Sequence, residues 1–488
     1  MNISIIRYII GSILKAEAVF LLLPCLTAAI YAEKQGIAYL VTAVLCGLLG
    51  ILLTIRRPKD YVFYLKEGCV ATSLSWISLS LFGCLPFIMT GEIPSFTNAL
   101  FETISGFTTT GASILSDVEA LSHCSIMWRS FTHWIGGMGV LVFIIAVIPM
   151  SGGSHINLMR AESPGPSVGK LVPKVKYTAR ILYLIYFVMT LLEIILLCIG
   201  KMPVFDAINT GFSTAGTGGF GIKNDSMAGY PMHIQWIVTI FMILFGINFN
   251  AYYYLLYRKI KKFLCMEETR YYLLIISAAT AIIFFNIIDS SKNIYKAITD
   301  AAFQTASIIS STGYSTLDYE IWPETCKMVI LCIMFIGASA GSTGGGIKVS
   351  RIVIMAKTVI KELNSYIHPK SIKKINFEGK PVEHEVIRSI NVYFITFTLI
   401  FFLSAIFISI EGMDFTSTFT AVAATINNTG PGFGCVGPSH NFGGLSAMSK
   451  YILIFDMLAG RLELFPLLIL FHPTVWKNFL TQRLQGKK

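Results

Sequence analysis

One pattern recurs four times in this chain and leaves few folds open to it. Each unit is a long apolar stretch, a short amphipathic segment of about 12–15 residues, a Thr-Gly turn and a second long apolar stretch. The long stretches are 67–90 and 124–150 around Thr110-Gly111, then 177–200 and 233–258 around Thr217-Gly218. They continue as 271–289 and 323–357 around Thr312-Gly313, and 386–410 and 449–470 around Thr429-Gly430. Two further apolar stretches, 5–31 and 37–55, precede them. A helix needs about 20 residues to cross a ~30 Å hydrocarbon core, so the long stretches are expected to span. The short segments cannot, and are expected to dip in and return as half-helices. Non-helical backbone at that depth is tolerated only where protein buries it or water bathes it. Four such returns therefore imply that they surround something wet. Composition agrees: 54% of the 488 residues are apolar and 13% charged, against about 25% charged in a soluble domain. The expected fold is an all-α integral membrane protein with ten spanning helices. Four repeated helix–pore loop–helix units in pseudo-fourfold arrangement follow two N-terminal transmembrane helices. The divisions fall at 1–60 for the leading helices, then 61–160, 161–262, 263–375 and 376–488 for the units.

The formal charge of +11 invites a nucleic-acid reading that its placement removes. Basic residues gather in alternate loops: Arg56, Arg57 and Lys59; Arg160, Lys170, Lys174, Lys176 and Arg180; Arg258, Lys259, Lys261 and Lys262. Further clusters are Lys357, Lys361, Lys370, Lys373, Lys374 and Lys380, then Lys477, Arg483, Lys487 and Lys488. The intervening loops carry Asp117, Glu119, Asp225, Asp318, Glu320 and Glu324 instead. This positive-inside bias places the basic loops and both termini on the cytoplasmic side of a bilayer, and no nucleic-acid partner is needed. The first apolar stretch is interrupted by Lys15 and Glu17 and lacks a small-residue cleavage signal, so it is expected to be retained. Ten cysteines stand singly, mostly in apolar runs, as buried thiols do.

The turns read FTTTGAS (107–113), STAGTGGFG (213–221), SSTGYST (310–316) and INNTGPGFG (426–434). Main chain that must replace a cation's hydration shell needs carbonyls pointing inward, and glycine permits the dihedrals and close approach this requires. The half-helices direct their carbonyl ends, which carry partial negative charge, to the same place. No ring of carboxylates stands at the turns, so selection by fixed charge is disfavoured. His133 and His155 have no partners at metal-ligand spacing, and no nucleophile–base arrangement is recognisable. An enzyme is not expected.

These four turns resemble the filter segments of the Trk/Ktr/HKT superfamily of potassium transporters. The resemblance spans essentially the whole chain and is strongest to the bacterial TrkH-type membrane subunit, since Ktr-type subunits lack the two leading helices. It implies a potassium filter at Thr110, Gly111, Thr217, Gly218, Thr312, Gly313, Thr429 and Gly430. Thr109, Ala112, Gly219, Tyr314, Asn428 and Pro431 would flank it. Gly111 favours potassium, because in the plant branch a serine there accompanies sodium transport. Counted from Gly211-Phe212, the second turn is two residues longer than the first, which leaves Gly216 as a rival to Gly218. The resemblance further implies potassium as the transported ion with no cofactor, a homodimer, and location in the cell inner membrane. It also implies a cytosolic nucleotide-binding regulatory subunit, a TrkA-like ring, docked on the basic loops. A sodium- or proton-coupled symporter and a poorly selective potassium/sodium conductor would share the fold.

Two features stand apart from the turns. The stretch 323–357 would measure about 52 Å as one straight helix, yet 337–346 holds five glycines, each worth roughly 1 kcal/mol against helix. A break is expected there, formed by Gly337, Gly341, Ser342, Thr343, Gly344, Gly345 and Gly346 with Lys348 beyond. Close helix packing through small residues is one account. A movable loop obstructing the pore is the other, and it resembles the family's gating loop. Ile347 separates the glycines from Lys348, so no Walker A loop is formed. Arg461 lies 11 residues past Lys450, about 16 Å deep if helical, and an intramembrane charge marks a functional site by default. Neither Asp456 nor Glu463 is at helical spacing from it. Carbonyls of the broken segment are the expected partner, with a role in holding the gate, a buried structural ion pair being the alternative.

Overall fold

The computed structural model describes residues 2–58, 64–139, 175–289, 293–370, 374–473 and 475. Residues 140–150 of the expected 124–150 stretch, His155, Lys59, Arg160, Lys170, Lys174, Lys373, Lys477, Arg483, Lys487 and Lys488 lie outside the described residues, as does the side chain of Lys176. Among the described residues the chain is helical apart from one two-stranded ribbon. It opens with α1 (Ile3–Phe20), α2 (Leu22–Tyr31) and α3 (Gly36–Thr54). The first Thr-Gly turn lies between α4 (Leu65–Gly83), α5 (Leu85–Thr90), α6 (Phe96–Phe107) and the following α7 (His123–Gly137). Around the second are α8 (Val175–Ile199), α9 (Val204–Ala215), α10 (Met232–Phe245), α11 (Phe249–Leu256) and α12 (Ile260–Leu264). The third has α13 (Glu267–Ile287), α14 (Ile294–Ile309), α15 (Glu324–Ile336) and α16 (Val349–Ile367), then the ribbon of β1 (Asn376–Phe377) and β2 (Lys380–Pro381). The fourth has α17 (His384–Ser409), α18 (Phe415–Ile426), α19 (Ala447–Arg461) and α20 (Phe465–Phe471).

Of the leading helices, α1 packs on α3 and α4 and α2 packs on α7, with small residues where α1 meets α3. Where α1 crosses α3, a Cβ on Gly50 would fall 2.7 Å from the Gly11 carbonyl oxygen and 2.9 Å from the Lys15 nitrogen. Backbone-to-backbone approach of this kind holds membrane helices together where no hydrophobic gradient exists between them. The crossing also brings Lys15 Nζ to 3.1 Å from Thr54 Oγ1, which gives the ammonium a partner. Gly50→Val is expected to cost about 1–3 kcal/mol by overpacking, read as a lower melting temperature in detergent, whereas Gly47→Ala, with only Ala18 Cβ at 3.7 Å, is expected to be neutral.

Among the described residues, six helical stretches are long and apolar enough to cross a membrane: Ile3–Tyr31, Gly36–Thr54, Leu65–Thr90, Ala179–Ile199, Glu267–Ile287 and His384–Ser409. A seventh is obtained if α10 and α11, bent by 93°, count as one. Ten spans were expected. Among the described residues, the helices that follow the second, third and fourth short segments are broken or end early. The expected 233–258 helix stops at Gly246, and Asn248 caps a new one by accepting from the Asn250 N–H at 3.0 Å. The 323–357 stretch breaks as expected, between α15 and α16. The 449–470 helix ends at Arg461, where Glu463 and Leu464 adopt positive φ (52° and 68°) ahead of Pro466, which cannot continue the helical ladder.

Candidate functional site

The four short helices α6, α9, α14 and α18 end in the same backbone turn. In each, the third residue past the helix has its N–H bonded to the carbonyl five residues back: Thr110 to Ser105 (2.9 Å), Gly218 to Ser213, Thr312 to Ser307 and Thr429 to Ala424 (each 2.8 Å). The preceding residue has positive φ without being glycine: Thr109 (55°), Thr217 (53°), Ser311 (59°) and Asn428 (52°). The following residue is a positive-φ glycine: Gly111 (80°), Gly219 (76°), Gly313 (85°) and Gly430 (94°). Non-glycine residues rarely hold such angles, so four repetitions mark a backbone arrangement imposed by its surroundings. The threonines are buried; Thr108 and Thr110 share a hydroxyl bond of 2.8 Å, and Ser310 and Thr312 one of 2.7 Å.

This register corrects the second turn. Gly219, rather than Gly218 or Gly216, occupies the place of Gly111, Gly313 and Gly430; Gly218 takes the place of Thr110, and Gly216 caps the helix. The Gly211-Phe212 pair misled because it is not equivalent to Gly106-Phe107: α6 runs to Phe107, whereas α9 continues to Ala215. Counting six residues from Ser105, Ser213 and Ser307 finds the right glycine each time.

The turns meet one another in a closed order. A Cβ on Gly111 would collide with the Gly218 carbonyl oxygen, one on Gly219 with that of Thr312, and one on Gly313 with that of Thr429. One on Gly430 would fall 2.7 Å from that of Thr110. Each glycine is thus packed on the main-chain oxygen of the next turn, and the fourth returns to the first. Ala112 and Tyr314 are buried beside them; the Tyr314 hydroxyl donates to the Thr210 carbonyl at 3.5 Å, and the Asn428 amide to Thr110 Oγ1 at 2.9 Å. Pro431 packs where a Gly313 side chain would go. A cavity of about 150 Å³ opens over the turns, lined by Gly111, Gly219, Gly313, Gly430 and Pro431 among others.

The broken segment lies against the carbonyl ends of α14 and α18, where the third and fourth turns begin. A Cβ on Gly344 would stand 2.6 Å from the Ser310 carbonyl oxygen, and one on Gly345 would collide with that of Asn427. The Gly345 N–H donates to Ser311 Oγ (2.5 Å) and the Gly346 N–H to Asn427 O (3.0 Å). Gly337, Gly341, Gly346 and Lys348 have positive φ. The break in α10 is complementary: Gly246 O accepts from the Ser339 N–H (3.1 Å), Phe245 O from Thr343 Oγ1 (3.2 Å), and the Phe249 N–H donates to Gly341 O (3.0 Å). Backbone groups orphaned by one broken helix satisfy those of another. Ser342 Oγ donates to Ser339 O at 2.6 Å, and Lys348 Nζ donates to Gly344 O.

Arg461 joins this layer. Its Nη1 donates to Thr343 O at 2.9 Å, and its Nη2 to Gly137 O at 2.7 Å and to Gly136 O. The guanidinium therefore bridges the broken segment and the carbonyl end of α7. The sequence did not single out Glu268, a buried carboxylate that accepts from the Ala340 N–H (2.7 Å) and the Ser350 N–H (3.2 Å) and so ties both sides of the break to α13. Nor did it single out Glu378 at the ribbon's turn, which accepts from the Glu268 N–H at 3.0 Å. Arg351 pairs with Glu463 and lies 4.1 Å over the Tyr393 ring. A glutamate at the start of an apolar helix reads as a dipole-complementing cap, which hid its second task.

Apolar helices of spanning length around converging main-chain turns define a membrane protein built to pass something small and polar. Residues 38–478 match the model of the TrkH family, described as a cation transport protein. The chain is 35% identical over 489 aligned residues to the Trk system potassium uptake protein TrkH of Salmonella typhimurium, covering 98% of this chain and 100% of that one. It is 34% identical to the Escherichia coli K12 protein of the same name over 98% and 100%. The crystal structure of the potassium transporter TrkH from Vibrio parahaemolyticus superposes with a TM-score of 0.87, at 31% identity, over 98% of this chain and all of that one. The chain belongs to the TrkH family, whose members are transporters and not enzymes.

Proposed function

We propose that this chain takes up potassium across the cell membrane through a gated, channel-like pore, as the ion-translocating subunit of a Trk-type system. The observation that carries the reading is the closed order of the four turns, each glycine seated on the next turn's carbonyl oxygen. Four units in pseudo-fourfold arrangement would then present main-chain oxygens to one axis, where they can replace an ion's hydration shell. The filter comprises Thr110, Gly111, Gly218, Gly219, Thr312, Gly313, Thr429 and Gly430, with Thr217 holding the positive-φ place before it. The segment 337–348, lying under the carbonyl ends of α14 and α18, obstructs the pore and forms the gate, with Arg461 holding it and adding a barrier to cations. The relatives named as potassium uptake proteins support potassium as the ion. A homodimer in the inner membrane, with both termini cytoplasmic and a nucleotide-binding ring on the basic loops, completes the reading.

The test is growth of a potassium-uptake-deficient bacterium at limiting potassium, alongside rubidium-tracer flux in proteoliposomes. Growth rescue and tracer uptake that follow the potassium gradient alone are expected. Uptake that requires an imposed sodium or proton gradient would replace the channel-like reading with a symporter. Absence of uptake in folded protein, with and without the cytosolic partner, would overturn the assignment.

A further inference from the structure

Among the described residues, the junction between the first and second turns differs from the other three in carrying a buried ion pair. Glu102 projects from α6 and Arg129 from α7; they are 1% and 2% exposed and 2.8 Å apart. Arg129 Nε donates to Glu102 Oε1 at 2.8 Å, and Glu102 Oε2 accepts from the Ile114 N–H at 3.0 Å and from Ser113 Oγ at 3.2 Å. That fixes the main chain just past Gly111. The other face of the guanidinium lies 4.0 Å over the Phe220 ring, and its Nη1 reaches Gly221 O at 3.4 Å, just past Gly219. One turn along α7, His133 completes the bracket. Its Nδ1 donates to Gly106 O at 2.8 Å, its Nε2 accepts from the Phe220 N–H at 3.3 Å, and its ring fills the space a Gly218 side chain would need. The other junctions include neutral bonds, Tyr314 to Thr210, Tyr319 to Gly432 at 3.1 Å and Asn428 to Thr110, and single charged groups that bond neutral partners, Asp318 with Ser439 and Lys450 with Asn98.

We propose that Arg129, Glu102 and His133 act as positioning residues for ion selectivity, clamping the first two turns at a fixed separation so that their carbonyl oxygens fit potassium and not sodium. This rests on the carbonyl-filter reading above. Glu102 touches main chain three residues past Gly111, Arg129 main chain two residues past Gly219, and His133 the residue next to Gly219, while Arg129 also lines the cavity over the turns. A guanidinium that serves two turns at once through a planar fork and a stacked ring cannot be replaced by an ammonium. Removing one partner would bury an unpaired charge, so the informative variants keep the charge or remove both charges together.

The experiment measures the potassium-to-sodium permeability ratio in proteoliposomes for Arg129→Lys, for the double neutral Glu102→Gln/Arg129→Gln, and for Phe220→Leu, which keeps bulk but removes the stacked ring. The ratio is expected to fall about tenfold, the scale of one lost hydrogen bond to a charged group, with potassium flux retained. A merely structural role would lower thermal stability and leave the ratio unchanged, which would overturn the proposal. Phe220→Leu decides the matter where the charge variants are not recovered folded. Gly313→Ser, whose Cβ meets the Thr429 carbonyl oxygen, is the control: if it abolishes potassium flux and the clamp variants leave the ratio unchanged, the clamp fails alone. If Gly313→Ser leaves flux unchanged, the filter reading fails with it.

Discussion

Gly313→Ala is expected to abolish potassium-dependent growth rescue and to cut tracer flux by two orders of magnitude or more. Two costs add at this position. With φ at 85°, any Cβ enters a region that costs an L-residue about 1–2 kcal/mol. The new methyl would also meet the Thr429 carbonyl oxygen and, at 2.9 Å, Pro431 Cδ. Neither neighbour is the end of a flexible side chain, so relief requires moving the fourth turn, at an overpacking cost of about 1–3 kcal/mol. The sum corresponds to roughly 10²-fold or more. Gly412→Ala separates the two costs. Gly412 has φ of 80° but nothing within 4 Å of a Cβ, so it suffers the strain alone and is expected to transport normally. Normal flux in Gly313→Ala would mean that the closed order of turns is not the ion path.

The second large effect is expected at Arg461 and has the opposite sign. Arg461→Gln shortens the side chain and removes its charge, so the hold on Thr343 O or on Gly136 O and Gly137 O is lost. A hydrogen bond to a charged group contributes about 1.5–3 kcal/mol, so losing one shifts a closed–open equilibrium by roughly tenfold or more. Potassium flux through the chain without its cytosolic partner is expected to rise by at least that factor. Arg461→Lys, which keeps the charge but cannot span both strands of carbonyls, is expected to fall between. Unchanged flux and unchanged response to the partner in Arg461→Gln would remove this residue from gating.

The parts legible in the sequence were those written in hydrophobic length and glycine placement. The break at 337–348 was visible because five glycines in ten residues overwhelm any helix, and the four turns because Thr-Gly recurred behind amphipathic segments. Two kinds of feature stayed hidden. The breaks at 246–248 and 462–464 need few unusual residues, since the exposed carbonyls there are satisfied by donors from distant segments, Ser339 and Thr343 in the first case. Pro466 was the one local warning of the second. The register of the second turn depends on where α9 ends, and Gly216-Thr217-Gly218-Gly219 offers three glycines to a count that only helix length resolves. The Glu102–Arg129 pair was hidden for another reason. Its members are 27 residues apart, and a charged pair brought together across a turn leaves no periodicity to read.

The closed order of the turns has a consequence for how such a protein can diverge. In a channel assembled from four copies, any substitution lands in every quadrant simultaneously. Here the quadrants are separate stretches of one polypeptide, and they already differ: Ala112, Phe220, Tyr314 and Pro431 follow the four glycines. One quadrant can therefore drift while three hold the geometry, which under the proposed filter reading would let selectivity be adjusted in quarter steps. The same linkage sets a limit, because each glycine rests on its neighbour's oxygen and no quadrant can shift far without pushing the next.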